Sequence, residues 1–173
     1  MKLTDVSLLP TPQDLVMMLR ILMAFLLGGL VGWERQRKGR PAGLRTHMLV
    51  AAGSACFTVA SIYGFDGLGT NRDPARLAAQ IVAGVGFLGA GVIFRTGSGV
   101  GGLTTAASIW ITAALGVLSG LGLYWVALFA AALTWFALRI LKLAESLGFR
   151  PAAPPEAAND DALPDDRSST KGG

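Results

Sequence analysis

Hydrophobic residues in this chain come in long blocks separated by short polar or glycine-rich breaks, and the blocks have membrane-crossing length. The runs 15–33, 46–63, 75–94, 103–120 and 123–143 hold no Asp or Glu. A helix needs about 20 apolar residues to cross the hydrocarbon, so the pattern predicts an all-α, polytopic membrane bundle of about five spans. Ahead of it, residues 1–14 read as an exposed lead-in with Pro10 and Pro12, where Asp14 is placed to cap the first helix. Between the second and third runs, Asp73 precedes Pro74 as a helix start. After the last run, residues 146–173 have the Pro, Ala and Asp composition of a disordered tail.

Small residues modulate this pattern. Gly28 and Gly32 form a small-xxx-small pair at the end of the first run, and the second run is rich in Ala, Ser and Gly rather than Leu, which suits a helix buried among helices. The third run carries Gly84, Gly86, Gly89 and Gly91 and is expected to be a tightly packed interior helix. Gly28, Gly32, Gly86, Gly89 and Gly91 are therefore the expected helix-packing positions. The same spacing serves packing within one subunit or self-association into a homo-oligomer. The segment 95–102, RTGSGVGG, reads as a glycine loop able to bring backbone amides close to a ligand or another helix.

Charge adds an orientation. The chain has 173 residues, 52% of them hydrophobic, 23 glycines and a net charge of +4. With an odd number of spans, the 34–45 loop, the 95–102 loop and the C-terminus share one side, which then carries nine Lys and Arg near the spans against four on the other. The positive-inside rule puts that side in the cytoplasm and the N-terminus outside. Arg20 is expected to snorkel, and Trp125 and Trp135 to anchor at the interface. The basic residues flank the membrane and form no separate face, so the charge implies the lipid bilayer or an anionic ligand as partner, not nucleic acid. The first apolar run lacks a signal-peptide cleavage site and is expected to stay as an anchor. Cys56, the single cysteine, excludes an internal disulfide and is expected to pack as a small apolar residue.

The candidate chemistry gathers where Arg35, Arg37, Lys38, Arg40 and Arg45 follow Glu34. Helix starts at about Thr46 and Thr105 would face these cations. That makes Glu34, Arg35, Arg45, Thr46, His47, Arg95, Thr104 and Thr105 a candidate cytoplasmic surface. Exposed amides there suit phosphate, a nucleotide or an acidic lipid headgroup, while ordinary Thr capping with positive-inside charge explains the same residues. No GxxxxGK[ST] pattern is present. His47, within reach of Glu34 or Arg45, reads as a packing or hydrogen-bonding histidine rather than a metal ligand. Arg76 and Gln80 share one face at the membrane edge, with Asp73 or Asp66 as available acids. No cofactor motif or catalytic constellation stands out, so a non-enzymatic protein is expected. Mg²⁺ is bound through carboxylates, and their absence from the spans leaves only helix carbonyls for a cation.

An offset of 59 residues aligns Gly32 with Gly91, Gly43 with Gly102, Leu44 with Leu103 and Thr46 with Thr105. Two parallel span-loop-span repeats plus a fifth helix fit this, and so does chance in a Gly- and Ala-rich chain.

The segments GLVGWERQRKGRPAGLRTHMLVAAGSACF (29–57), RLAAQIVAGVGFLGAGVIF (76–94) and GGLTTAASIWITAALGVLSGLGLY (101–124) closely resemble the membrane domain of the MgtC/SapB family, over residues 12–145. The resemblance implies a bacterial inner-membrane protein, linked in pathogens to survival in macrophages and growth at low magnesium. It also implies action by binding other membrane proteins, the ATP synthase among them. By matching motif, the family's signature falls on Glu34, Arg35, Ala42, Gly43, Arg45, Thr46 and His47, on Arg76, Gln80, Gly86, Phe87, Gly89 and Gly91, and on Gly102, Thr104, Thr105 and Trp110. Many longer relatives carry a soluble C-terminal domain, where this chain has only the expected tail. The leading expectation is a regulator of other membrane proteins, the alternative a transporter or channel for Mg²⁺ or an anion.

Overall fold

The computed structural model describes residues 9–64, 73, 75–96 and 99–146. Residues 1–8, Asp66, Arg72 and the expected tail beyond 146 lie outside them. Among the described residues are α1 (Pro12–Arg37), α2 (Leu44–Tyr63), α3 (Ala75–Gly91), α4 (Leu103–Gly120) and α5 (Tyr124–Ser146), an all-α membrane bundle. By length and composition α1, α2 and α4 can each cross a bilayer, while α3 and α5 hold the shorter apolar stretches Ala78–Gly91 and Tyr124–Ile140. Helix α4 touches all four others; α3 leans on α2 and α4, and α5 on α1 and α4.

Helix α1 starts at Thr11 rather than Asp14. The Thr11 hydroxyl accepts from the Asp14 amide at 3.2 Å, and the Asp14 carboxylate accepts from the Thr11 amide at 2.7 Å. With Pro12 in the first turn this is a capping box, in which the acid occupies the third helical position rather than the cap. The segment 95–102 is not an irregular loop. Strands β1 (Phe94–Thr96) and β2 (Gly99–Gly101) pair antiparallel, Phe94 opposite Gly101, and α3 accordingly ends at Gly91. The Phe94 ring covers Gly101, where any Cβ would lie 2.5 Å from it.

Glycines bring three helices into backbone contact around α2. A Cβ on Gly28 would lie 2.5 Å from the His47 carbonyl oxygen and 2.8 Å from the Ala51 Cβ, and one on Gly32 2.8 Å from the Leu44 Cα. From the other side, Gly116 presses on the Ala51 carbonyl, and a Cβ on Gly120 would lie 2.7 Å from the Thr58 Cβ. Lipid gives apolar helices no reason to associate, so close packing must supply the attraction, and small residues permit it.

Helix α3 departs from its expected interior role. Only one stripe, Ile81, Val85 and Gly89, is buried, with Ile81 and Val85 packing against Ile109 and Ala113. Gly89 faces Ala106, whereas a Cβ on Gly84, Gly86 or Gly91 would meet nothing within 4 Å. Among the described residues α3 has neighbours on one side only, so Gly86 and Gly91 pack against none of them. Cys56 likewise lies exposed on α2 rather than packed inside.

At the end opposite the basic loop, Arg20 does not snorkel away. It donates to the Gly120 carbonyl at 3.0 Å and stands 5.5 Å from the Tyr63 ring centre, tying the end of α4 to α1 and α2. Arg20→Gln should cost about 2 kcal/mol, a charged hydrogen bond with its ring contact. Equilibrium unfolding in bicelles would measure it, and an unchanged midpoint would show that the tie is idle.

Candidate functional site

The first helix runs a turn past the expected Trp33 end, so Glu34 and Arg35 sit on α1 inside the bundle rather than in a surface loop. Arg35 is 2% exposed and Glu34 6%, both at the level where α2 and α4 begin. Arg35 Nη2 donates to Thr105 Oγ1 on α4 at 3.1 Å, and its Nε has no hydrogen-bond partner among the described residues. Glu34 pairs with Lys38 one turn on, the spacing that puts the two side chains on one face. Lys38 also donates to the Leu138 carbonyl of α5 at 2.8 Å.

His47 is fully buried between α2 and α4. Its partners are not Glu34 or Arg45. Nδ1 lies 2.8 Å from the Gly43 carbonyl oxygen and Nε2 3.1 Å from Ser108 Oγ. A carbonyl only accepts, so Nδ1 carries a proton. Ser108 Oγ also reaches the Thr105 carbonyl at 2.8 Å, so its single proton has two acceptors to choose between. One polar chain thus runs from Arg35 through Thr105 and Ser108 to His47 and the start of α2, joining three helices.

Neither Thr46 nor Thr105 caps: the caps are Gly43 and Gly102, which occupy matching places at the 59-residue offset. Gln36 Oε1 accepts from the Leu44 amide at 3.1 Å and so occupies a free donor of α2. Gly102, at φ +86°, takes a left-handed turn hard against the Val92 carbonyl, a place that excludes any side chain.

The structure therefore divides the expected surface. Glu34, Arg35, His47 and Thr105 come together in the buried cluster. Arg45, Thr46 and Arg95 are exposed and stand outside it, while exposed Thr104 lines a cavity beside Arg35. Arg76 and Gln80 are exposed on α3, and Gln80 edges a groove between α2 and α3.

A polar seam between α2 and α4 completes the interior. Ser54, Thr58 and Ser61 on α2 and Thr105, Ser108, Thr112 and Ser119 on α4 are buried. Thr58, Thr112 and Ser119 donate to carbonyls of their own helices at 2.7–2.8 Å. These back-bonds satisfy the hydroxyls locally. The recurrence of Ser and Thr at helical spacing was the sequence signal for this seam, and for Ser108 as part of the cluster.

Comparison with known proteins places this arrangement. The profile of the MgtC family matches residues 21–147. The chain belongs to the MgtC family. Among its relatives, the Escherichia coli K12 protein named "Putative magnesium transporter YhiD" is 45% identical over 136 residues, 76% of this chain and 62% of that protein. "Protein MgtC" of Brucella abortus 2308 is 57% identical over 100 residues, covering 58% of this chain and 40% of that protein. "Protein MgtC" of Salmonella typhimurium LT2 is 55% identical over 105 residues, 60% and 43% respectively. The chain thus spans less than two thirds of each of these relatives. No solved structure matches it. Within this MgtC-family membrane unit, the ER pair of α1, the Gly-Leu-x-Thr-His start of α2 and the Gly-Leu-Thr-Thr start of α4 are the pieces that meet in the buried cluster.

Proposed function

We propose that this chain is a non-enzymatic protein of the bacterial inner membrane, N-terminus outside and C-terminus in the cytoplasm, that serves adaptation to low magnesium by docking onto another membrane protein. The name of its relative "Putative magnesium transporter YhiD" supports the magnesium connection. The observation that carries the docking is an open groove of about 530 Å³ between α2 and α3. Gly53 and Gly84 face it with nothing within 4 Å of where a Cβ would stand. Val50, Phe57 and Leu88 give it apolar walls and Gln80 a hydrogen-bonding edge. Ser54, Ile81 and Val85 form its floor, and the two glycines leave its sides open enough for a partner's transmembrane helix to approach backbone, the geometry that drives association in lipid. Membrane subunits of the ATP synthase are one class of partner that the family resemblance suggests.

A photo-crosslinker at Leu88 in native membranes should capture a discrete partner. Gly84→Leu should abolish both the capture and the growth advantage at low Mg²⁺ without lowering the amount of protein in the membrane. Normal capture by Gly84→Leu would count against the groove.

A second reading, direct ion transport, draws on the α2–α4 hydroxyl seam. It requires that seam to open, and the hydroxyl protons of Thr58, Thr112 and Ser119 already go to carbonyls of their own helices. Proteoliposomes holding only this protein are expected to take up Mg²⁺ no faster than empty liposomes. Robust uptake lost in Thr112→Val would replace the docking reading with transport.

A further inference from the structure

We propose that the cavity enclosed by α1, α4 and α5 at the basic end is a binding site for one anionic phospholipid, its phosphate on Arg35, Lys38 and Arg40 and an acyl chain along α4 and α5. This site shares no residue with the α2–α3 groove and does not depend on the docking reading.

The cavity measures about 420 Å³ and changes character along its length. Its mouth has Arg35, Lys38, Arg40 and Thr104, with Leu138 beside Lys38; its wall runs on over Ala107, Ser108 and Ile111 of α4 and Ala137 and Thr134 of α5, and both wall hydroxyls donate to carbonyls of their own helices, which leaves it mostly apolar. From Thr104 to Ile111 the wall extends about 10 Å along α4, at 1.5 Å per residue, enough for the first part of an acyl chain. Ala107 and Ala137 are exposed, so the trough opens between α4 and α5, where lipid lies.

Unspent charge marks the mouth as a site rather than a gap. Three cations stand against one nearby acid: Glu34 pairs with Lys38, which leaves two positive charges without an acidic partner among the described residues. Arg35 is 2% exposed, gives one donor to Thr105 and keeps Nε without a partner among the described residues. Lys38 gives donors to Glu34 and Leu138 and has a third remaining. A buried guanidinium with a free donor beside an open cavity is costly until an oxyanion meets it. A free phosphate would meet the charge and leave the apolar wall uncovered. A phospholipid covers both.

The test uses the full chain in phosphatidylcholine nanodiscs containing graded phosphatidylglycerol, with native mass spectrometry counting the lipids retained on release. One phosphatidylglycerol should stay bound in preference to phosphatidylcholine. Arg40→Gln, at an exposed residue, should cut that preference about fivefold, the worth of one surface cation at the membrane. Ala107→Phe and Ala137→Phe should expel the lipid by filling the trough while leaving the thermal unfolding of the protein in place. Millimolar inorganic phosphate should fail to displace it. Equal retention of both lipids, or unchanged retention in Arg40→Gln together with Ala107→Phe, overturns the proposal. Displacement by inorganic phosphate with no effect of either Phe replaces the lipid by a free anion.

Discussion

Gly28→Ala is expected to cost about 3 kcal/mol, at the upper end for overpacking, and Gly28→Leu to remove the protein from the membrane fraction altogether. The reason is what an added Cβ would strike: the His47 carbonyl oxygen at 2.5 Å and the Ala51 Cβ at 2.8 Å. A backbone carbonyl cannot swing aside as a long side chain can, so α1 and α2 must part. Parting them pulls the start of α2, His47 included, away from α4. Thermal unfolding in bicelles reads the Ala variant, and membrane abundance reads the Leu variant. Gly84→Ala, at an equally apolar helical glycine that faces open space, should leave both readouts unchanged. Equal losses at Gly28 and Gly84 would mean that helix propensity, not contact, governs these glycines.

The second large effect is an asymmetry at the buried arginine. Thr105→Val should cost about 2–3 kcal/mol, since it leaves the Arg35 guanidinium buried without its Thr105 partner. Arg35→Met should cost less, because an apolar chain of similar length removes the charge along with its need for partners. The double variant should then be more stable than Thr105→Val alone. A double-mutant cycle by equilibrium unfolding measures this directly. Additive losses would show that Arg35 and Thr105 do not act as a pair. Arg35→Met should at the same time weaken retention of phosphatidylglycerol, separating the residue's role in packing from its role at the cavity.

Much of this architecture could be read from residue pattern. Apolar blocks without acids specify helices of membrane length, because unpaired backbone groups and carboxylates are both costly in hydrocarbon. Gly28 and Gly32 at four-residue spacing announced a close helix approach, which the structure assigns to α2, and the close match to three family segments announced the family. The glycines of α3 misled because a small residue states that a backbone can be approached, not that anything approaches it. Gly89 meets Ala106, while Gly84, Gly86 and Gly91 of the same helix meet nothing among the described residues. Thr46 misled in another way. Its type and position suit a cap, but Gln36, reaching across from α1, took that role at the Leu44 amide.

The chain by itself determined that this is a polytopic helical membrane protein of the MgtC family with most of its span-flanking cations on one side. Those properties depend on composition and on local periodicity, which every residue carries with it. Only the tertiary structure decided which cations are buried, that Arg35 meets Thr105 seventy residues away, that His47 turns to Ser108, and that a charged mouth leads into an apolar trough. Sequence spacing sets the direction of a side chain on its own helix. What stands opposite depends on how closely the helices approach and at what level, and in this bundle glycines facing backbone fix both.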